Sequence, residues 1–500
     1  MRYWWGSCMV VLVLVVVTMM AMAGPAAPPG VLRVAYYQRV VSLDAHGPAA
    51  AERAVIILGR HLYDTLVTWD PAAKKFQPAL AIRWRTLDPT TWSFELRRGV
   101  RFHDGQEFTA AAVKTSVERA VQFRGPLSPL FTPIVSVDAS DPYRVLMKTQ
   151  APMGTLLSNL TMLNIVPAGT PPTPAFGERP VGTGPFRFVE FVRDTRVVLE
   201  ANPHYWRQGV PRLQRLIFVD IPEVSGRITA LETGEIDMTT ALPPEEIKRL
   251  RGNPAIKIDI GPTYFTRFLW INPTKKPYDD PRVRKALQHA FNIEAITASL
   301  LAGIAKPARG PIASNVVCAA QLPPYGYNTT LARKLLAEAG YPRGFETVMK
   351  WNDANPKERE VADAIVGQLA LIGVRVQSVL QPRAIWLDDL IKLNWELNLL
   401  GTGAVTGDAD FTLGRLYHSR ANRTGYANPE VDRLLEQAAA TVDQTKRCDL
   451  YRRVQEILWQ EGPAVFLFES LESYAYRTRV QNFKVPPSEI FTFSELSVSP

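Results

Sequence analysis

Residue types that could perform catalysis occur in this chain, but not at the spacings that catalytic motifs require. The sequence contains no Gly-x-Ser-x-Gly elbow, no Walker loop, no His-Glu-x-x-His and no Cys-x-x-Cys. Its six histidines show no close pair at metal-ligand spacing: they are His46, His61, His103, His204, His289 and His418. Because triads are assembled in space, a secreted hydrolase with a distributed site stays an open alternative. The pattern favours binding over catalysis, so we expect a protein that is not an enzyme.

One acidic run raises the hypothesis of a metal-binding site. Residues 407–410 read Gly-Asp-Ala-Asp, which could begin a cation loop. The run lacks the further oxygen ligands of a calcium motif, and Asp commonly ends a turn or caps a helix. We therefore interpret Asp408 as a turn or cap residue and expect neither a metal nor a cofactor.

Composition places the chain among large globular proteins. Of 500 residues, 46% are hydrophobic and 10% aromatic, enough for a packed core of about three domains or lobes. The net charge is +9, with Lys and Arg interspersed among Asp and Glu. Short basic stretches at 249–251 and 282–285 lack interleaved aromatic residues, so we expect no nucleic-acid partner.

The N-terminus predicts export. Arg2 precedes an apolar run from Cys8 to Met22, and Ala21-Met22-Ala23 offers a cleavage site after Ala23. The run is shorter than the roughly 20 residues of a spanning helix. Cys8 lies at the beginning of the run rather than at its end and cannot carry a lipid, so we expect a soluble periplasmic protein rather than a lipoprotein. Of the remaining cysteines, Cys318 and Cys448 could form one disulfide, and the sequence leaves their pairing open.

Strands and helices alternate along the chain, which is typical of mixed α/β lobes. Residues 31–36 predict a strand, and residues 109–121 predict a helix capped by Thr109. A long helix is expected at 281–302, with Pro281 at its start and Gly303 just past its end.

Four groups of motifs, in this order along the chain, carry a family resemblance. They are YDTLV (63–67), PALA (78–81), TWSFELRRGVRFHDG (91–105) and FTA (108–110); GTGPF (182–186) and NPHYW (202–206); PYDDPRVRKAL (277–287); and ARKLLAEAGYP (332–342). Together they resemble the bacterial extracellular solute-binding proteins, family 5, which serve dipeptide, oligopeptide and nickel ABC importers. Most of these motifs are scaffold and identify the fold rather than the ligand.

The resemblance implies a two-lobed α/β periplasmic binding protein fold (type II) with an inserted subdomain and a hinge. By analogy we expect a signal peptide at 1–23 and an inserted subdomain at 58–179. Lobe I would combine 30–57, 180–265 and 473–500, and lobe II would span 266–472. A monomer that delivers its solute to an ABC permease in the inner membrane is implied.

The ligand-facing stretches depart from the peptide-binding pattern of the family. Peptide-binding members usually have Trp after the glycine equivalent to Gly401, and soon afterwards an Asp that receives the peptide amino group. Here Thr402 replaces the Trp and Val405 stands at the Asp position. A buried ammonium without a carboxylate is strongly disfavoured, so either Asp408 takes that role or the ligand has no free amine.

The expected ligand-lining residues are Ser42, Asp44, Leu163, Asn164, Tyr264, Trp386, Thr402, Gly403, Val405 and Asp408. Aromatic walls at Tyr264 and Trp386 would suit a ligand of mixed polarity. A peptide or peptide-like solute is the first hypothesis. An opine, a sugar oligomer or a nickel chelate is the alternative, and a chaperone or signalling receptor on the same scaffold is a third possibility.

Overall fold

A computed structural model describes residues 30–70, 73, 75–352 and 357–499. The predicted signal peptide and its cleavage site lie outside these residues. The strands are β1 (Val31–Tyr36), β2 (Val67–Asp70), β3 (Lys75–Pro78), β4 (Ala81–Asp88), β5 (Thr91–Leu96), β6 (Ile134–Asp141), β7 (Arg144–Thr149), β8 (Phe186–Val192), β9 (Arg196–Ala201), β10 (Arg215–Asp220), β11 (Met238–Thr240), β12 (Ile256–Ile271), β13 (Ala305–Pro307), β14 (Glu346–Trp351), β15 (Arg375–Leu380), β16 (Leu397–Gly403), β17 (Ala464–Arg477), β18 (Val480–Gln481) and β19 (Ser497–Val498).

The helices are α1 (Arg53–Leu62), α2 (Ala110–Gln122), α3 (Leu156–Leu160), α4 (Val224–Thr233), α5 (Pro244–Leu250), α6 (Pro281–Gln288), α7 (Ile293–Ala295), α8 (Thr329–Glu338), α9 (Glu358–Ala370), α10 (Arg383–Ile391), α11 (Ala409–Tyr417), α12 (Pro429–Ala440) and α13 (Gln444–Glu461). Short 3-10 turns occur at Ser128–Leu130, Pro174–Gly177 and Ser419–Ala421, and a π turn at Ile296–Leu300. None of the helices in the described ranges is long and apolar enough to cross a membrane.

One large mixed sheet runs through the molecule in the strand order β15-β14-β16-β12-β17-β11-β1-β10-β9-β8, with β13 also paired to β17. Its two halves are joined by the long antiparallel strands β12 and β17. Their register shifts between Pro262 and Thr266, so the ladder is interrupted in mid-strand. A β-bulge of this kind bends a strand pair. The shift therefore separates one group of strands around β1 from another around β16.

Each half of the sheet is covered on both faces by apolar side chains. On β12, Phe268 and Trp270 pack into one buried cluster, whereas Leu269 and Ile271 pack into another on the opposite face. This alternation follows from the two-residue period of a strand. A smaller sheet, β4-β5-β7-β6, buries a separate core against α2 and α3. The predicted α/β class with an additional compact unit is confirmed.

Two local expectations have clear outcomes. The strand at 31–36 is confirmed as β1. The single long helix expected at 281–302 is wrong, because α6 ends at Gln288. Asn292 donates its backbone N–H to the Gln368 side chain and accepts the Ala295 N–H at its own side chain, which starts a new turn. These bonds replace the helical ladder at the break.

Cys318 and Cys448 are joined by a disulfide. The bridge ties the loop after β13 to α13. It answers the question of pairing that the sequence left open.

Candidate functional site

A cavity of about 310 Å³ lies where β1 and β16 end, between the two halves of the sheet. Tyr37, Gln38 and Arg53 line it from the β1 side. From the β16 side it is lined by the strand end itself, by Trp386 of α10 and by Arg415 of α11. Carboxyl ends of strands are common ligand sites in α/β sheets. The position and size of the cavity fit a small solute.

Two ion pairs occupy part of this wall. Arg53 Nη1 lies 3.4 Å from Glu472 Oε2, and Arg267 pairs with Glu358. Glu472 also accepts the Ala241 N–H at 2.8 Å. Burial raises the pKa of Glu472 to about 7, against the opposing influence of Arg53. Arg267 and Glu358 compensate each other, whereas Arg53 interacts electrostatically with both Glu489 and Glu472.

Glu489 is a different kind of wall residue because it has no ion-pair partner among the described residues. Its side chain is buried, and Oε2 accepts the Tyr264 N–H at 2.8 Å. Oε1 accepts no hydrogen bond from the described residues, and a Cβ placed on Gly403 would lie 3.6 Å from it. A buried carboxylate with an open oxygen is suited to receive a cation.

Arg415 offers the complementary charge. Its Nη2 donates to Thr402 Oγ1 at 2.9 Å, and its guanidinium carbon stands 4.7 Å from the centroid of the Phe411 ring. No carboxylate within the described ranges pairs with it. The side chain lines the cavity but stays exposed to solvent. Partial desolvation by the protein around it lowers its pKa to about 10, with Arg423 adding to the effect. Arg415 therefore stays cationic at neutral pH and is free to bind an anion.

Five of the residues predicted from sequence lie at this site or beside it. Trp386, Thr402, Gly403 and Val405 line the 310 Å³ cavity, and Trp386 Nε1 donates to Asn398 Oδ1 at 2.9 Å. Tyr264 lines a neighbouring cavity, and burial raises the pKa of its hydroxyl to about 12. The structure thus brings the 402–405 stretch and both aromatic residues together.

Four other predicted residues lie away from the lining of this cavity. Asp44 is buried and accepts two hydrogen bonds from Arg119, at 2.8 and 2.6 Å. Ser42 accepts the Asp44 N–H. Leu163 is fully buried in the core of the additional unit, and the carbonyl of Asn164 bonds the ring of His46 at 2.9 Å. All of these hydrogen bonds are made within the protein itself.

Asp408 has a structural environment. Its side chain caps α11 by accepting the Asp410 N–H, which confirms the cap interpretation. Both oxygens are also bonded by Arg447, and Oδ2 accepts a hydrogen bond from Ser158 at 2.7 Å. The carboxylate is therefore satisfied from within the protein. No group of three or more potential metal ligands occurs in the described part of the chain.

Sequence reasoning missed Glu489 and Arg415. Arg415 is one of many charged residues on amphipathic helices and carries no local signal. Glu489 has a weak signal, since it is a lone acid in an otherwise uncharged stretch from Val485 to Phe493. Only the tertiary fold brings that stretch next to Gly403.

Comparison with known proteins agrees with this architecture. The family model for bacterial extracellular solute-binding proteins, family 5 Middle, matches residues 75–424. The glutathione-binding protein GsiB of Pectobacterium atrosepticum is 31% identical over 433 residues, covering 82% of this chain and 84% of that protein.

Solved structures give the same result. The periplasmic binding protein DppA from Helicobacter pylori, in complex with the peptide STSA, superposes with a TM-score of 0.80 at 27% identity, covering 94% of this chain and 98% of that one. MoaA from A. tumefaciens R10, in complex with mannopinic acid, has a TM-score of 0.78 at 25% identity, covering 94% and 99%. The two-lobed fold is thereby confirmed. With the family model spanning most of its length, the chain belongs to the bacterial extracellular solute-binding proteins, family 5.

Proposed function

We propose that this protein is the periplasmic capture component of an ABC importer and that its solute is a zwitterion of the peptide type. The observation that carries the proposal is a pair of opposite charges, Glu489 and Arg415, which line one cavity and have no direct ion-pair partner among the described residues. The solute amine binds Glu489 and a solute carboxylate binds Arg415. Relatives described as binding glutathione or a peptide support this choice, since both ligand types carry an amine and a carboxylate.

Glu489 also resolves the difficulty raised by Val405. The amine-binding carboxylate is supplied by the C-terminal segment instead of by the strand end, while Asp408 stays paired with Arg447. Val405, Thr402 and Trp386 then serve as walls for the uncharged parts of the solute. A zwitterion thus satisfies both open charges of the cavity at once.

The mechanism is closure of two lobes around the solute. We assign residues 30–57, 180–265 and 473–500 to lobe I, 58–179 to the inserted subdomain and 266–472 to lobe II. The register shift between β12 and β17 supports a hinge at that point. A solute that contacts both lobes stabilises the closed form, which the permease then accepts.

Capture without turnover is part of the proposal. Among the described residues, no His, Ser or Cys lines the 310 Å³ cavity. His46 and His61 bond backbone carbonyls elsewhere, and burial lowers the pKa of each to about 4. Chromatography of dipeptides and simple esters incubated with the protein should return them intact. Turnover that is lost on changing one His or Ser would favour the hydrolase alternative.

Calorimetric titration of matched ligands tests the zwitterion assignment. A free dipeptide should bind at least about tenfold more tightly than its N-acetylated and C-amidated forms, because each form loses one charge-assisted contact. Glu489→Gln should weaken the free dipeptide by a similar factor yet leave the N-acetylated form almost unchanged. Arg415→Gln should behave likewise toward the C-amidated form.

Arg433→Gln is the matched control, since Arg433 is an exposed arginine of α12 paired with Glu430. It should leave all affinities unchanged. Equal binding of free, acetylated and amidated peptides by the wild-type protein would overturn the assignment. Preferential binding of an opine or a metal chelate would move the solute to the alternative class.

A further inference from the structure

A second cavity, of about 600 Å³, adjoins the first. Val405 and Ile490 line both, so these two apolar side chains form a neck between them. Both also pack against the core of the additional unit built on β4–β7. A solute held in the first cavity therefore reaches the second by passing these two residues.

The second cavity carries an excess of positive charge. Arg60 of α1 lies in its wall, where Nη1 donates to the Thr161 carbonyl at 2.7 Å and Nη2 lies 3.5 Å from Met162 Sδ. No described carboxylate forms an ion pair with Arg60 or with Lys484, which also lines the cavity. The acidic lining residue Glu495 lies 3.5 Å from Arg207. Burial lowers the pKa of Arg60 to about 10, so its guanidinium stays charged at neutral pH.

The rest of the wall is largely apolar and aromatic. Trp69, Tyr264, Phe483 and Phe491 contribute rings, and Val485 and Pro486 contribute aliphatic surface. Such a wall binds carbon chains but does nothing to neutralise a cation. The guanidinium of Arg60 thus has no carboxylate at ion-pair distance among the described residues, and Asp64 acts on it only from further away. It lies in a half-apolar space large enough for a substantial group.

We infer that this second cavity is a subsite for an anionic side group of the solute, with Arg60 as its anion-binding residue. The inference rests on the proposed function, because the solute amine held by Glu489 sets the orientation. We place the group next to the bound amine at the second cavity, because Glu489 adjoins Ile490 of the neck and accepts the N–H of Tyr264, which lines that cavity. In a peptide this group is the side chain of the first residue. The preferred solute class is a peptide-like compound with an acidic first residue.

Calorimetry with four dipeptides that differ in their first residue tests the inference: Glu-Ala, Gln-Ala, Leu-Ala and Lys-Ala. The wild-type protein should bind Glu-Ala about tenfold or more tightly than Gln-Ala, and Lys-Ala most weakly. Arg60→Gln should abolish the preference for Glu-Ala while changing the affinity for Gln-Ala by less than about twofold. Arg60→Lys should retain part of the preference, since it keeps the charge but loses the planar fork.

Thermal denaturation of each variant checks its folding, and Arg433→Gln again serves as the charge-matched control. If Arg60→Gln does not fold, the wild-type ranking together with Arg60→Lys decides. Equal affinity of the wild-type protein for Glu-Ala and Gln-Ala, or an unchanged preference in Arg60→Gln, would overturn the subsite and leave the zwitterion site intact. Failure of all four dipeptides to bind would overturn both proposals.

Discussion

Asp408 and Arg447 form a buried two-pronged ion pair, with Oδ1 3.0 Å from Nη1 and Oδ2 2.7 Å from Nη2. The side chains are only 1% and 2% exposed. Because Asp408 also caps α11 and accepts from Ser158, it links α11, α13 and the additional unit. This carboxylate lies close in sequence to Val405, the position at which family resemblance places an amine-binding Asp. Its oxygens are instead hydrogen-bonded within the protein.

Removing one partner of this pair should reduce stability far more than it changes ligand binding. Arg447→Met leaves a buried carboxylate without its counter-charge, which should lower the free energy of unfolding by about 3–5 kcal/mol. Urea denaturation followed by circular dichroism measures the loss. Folded Asp408→Asn should still bind a free dipeptide within about threefold of wild type. A variant of wild-type stability that no longer binds would return the amine-binding role to Asp408.

His61 should make stability depend on pH on the acidic side. The ring is fully buried, bonds the Ile57 carbonyl through Nδ1 and accepts the Phe493 N–H at Nε2, so it must be neutral. Burial lowers its pKa to about 4 from an unfolded value near 6.5. The stabilisation by the neutral ring is complete above pH 6.5 and is lost as pH falls toward 4, by about 3 kcal/mol.

Urea denaturation at pH 7.5 and pH 4.5 should therefore show a smaller pH-dependent loss in His61→Phe than in wild type. The variant is expected to be less stable at pH 7.5, because Phe493 N–H and Ile57 O lose a partner. Its flatter pH profile is the diagnostic result. An identical slope in both proteins would mean that His61 does not titrate in this range.

Glu472 should act in the opposite direction. Burial, with a smaller contribution from Glu489, raises its pKa to about 7, while Arg53 and the N–H groups of Ala241 and Ser473 oppose the rise. A carboxyl whose folded pKa lies above its unfolded value stabilises the protein at low pH. That contribution, about 3 kcal/mol, is lost as pH rises from 4.5 through 7.

The corresponding measurement compares wild type and Glu472→Gln in urea at pH 5 and pH 8. The variant should lose less stability over this interval than the wild-type protein does. An exposed acid changed in the same way, Glu190→Gln, is the control because its partner Arg196 lies at the surface. A wild-type slope retained in Glu472→Gln would contradict the assignment.

The disulfide between Cys318 and Cys448 should contribute to stability without touching the solute site. Reduction removes a cross-link across 130 residues of sequence, which should lower the free energy of unfolding by about 2–4 kcal/mol. A thermal melt with and without reductant measures the change. The Cys318→Ala/Cys448→Ala variant should melt at the reduced temperature in both conditions and bind solute normally.

The sequence correctly predicts those helices and strands whose ends depend only on neighbouring residues. The strand at 31–36 is bounded as expected, and the helix predicted at 109–121 is α2, which begins directly after Thr109 at its N-cap. The helix at 281–302 failed because its interruption depends on Gln368, which is distant in sequence. Helix propensity reflects only neighbouring residues, so it cannot detect a hydrogen bond to a side chain that is distant in sequence.

The residues of the candidate site also differ in how well the sequence predicts them. Thr402 and Gly403 end β16, and Val405 lies just beyond it. Family resemblance predicts all three as ligand-lining residues, and all three line the 310 Å³ cavity. Glu489 and Arg415 carry the charges of the proposed site, yet Arg415 has no local sequence signal and Glu489 has only a weak one. Their role arises from what the fold places beside them, namely Gly403 for Glu489 and Thr402 for Arg415.

The C-terminal position of Glu489 and Ile490 has a consequence for the order of events during synthesis. The chain is made from its N-terminus, and every other described residue of the 310 Å³ cavity precedes these two. A nascent chain that has already formed β1, β12 and β16 still lacks its amine-binding carboxylate and half of the neck. The proposed solute site is thus completed only by the last segment of the chain to be made.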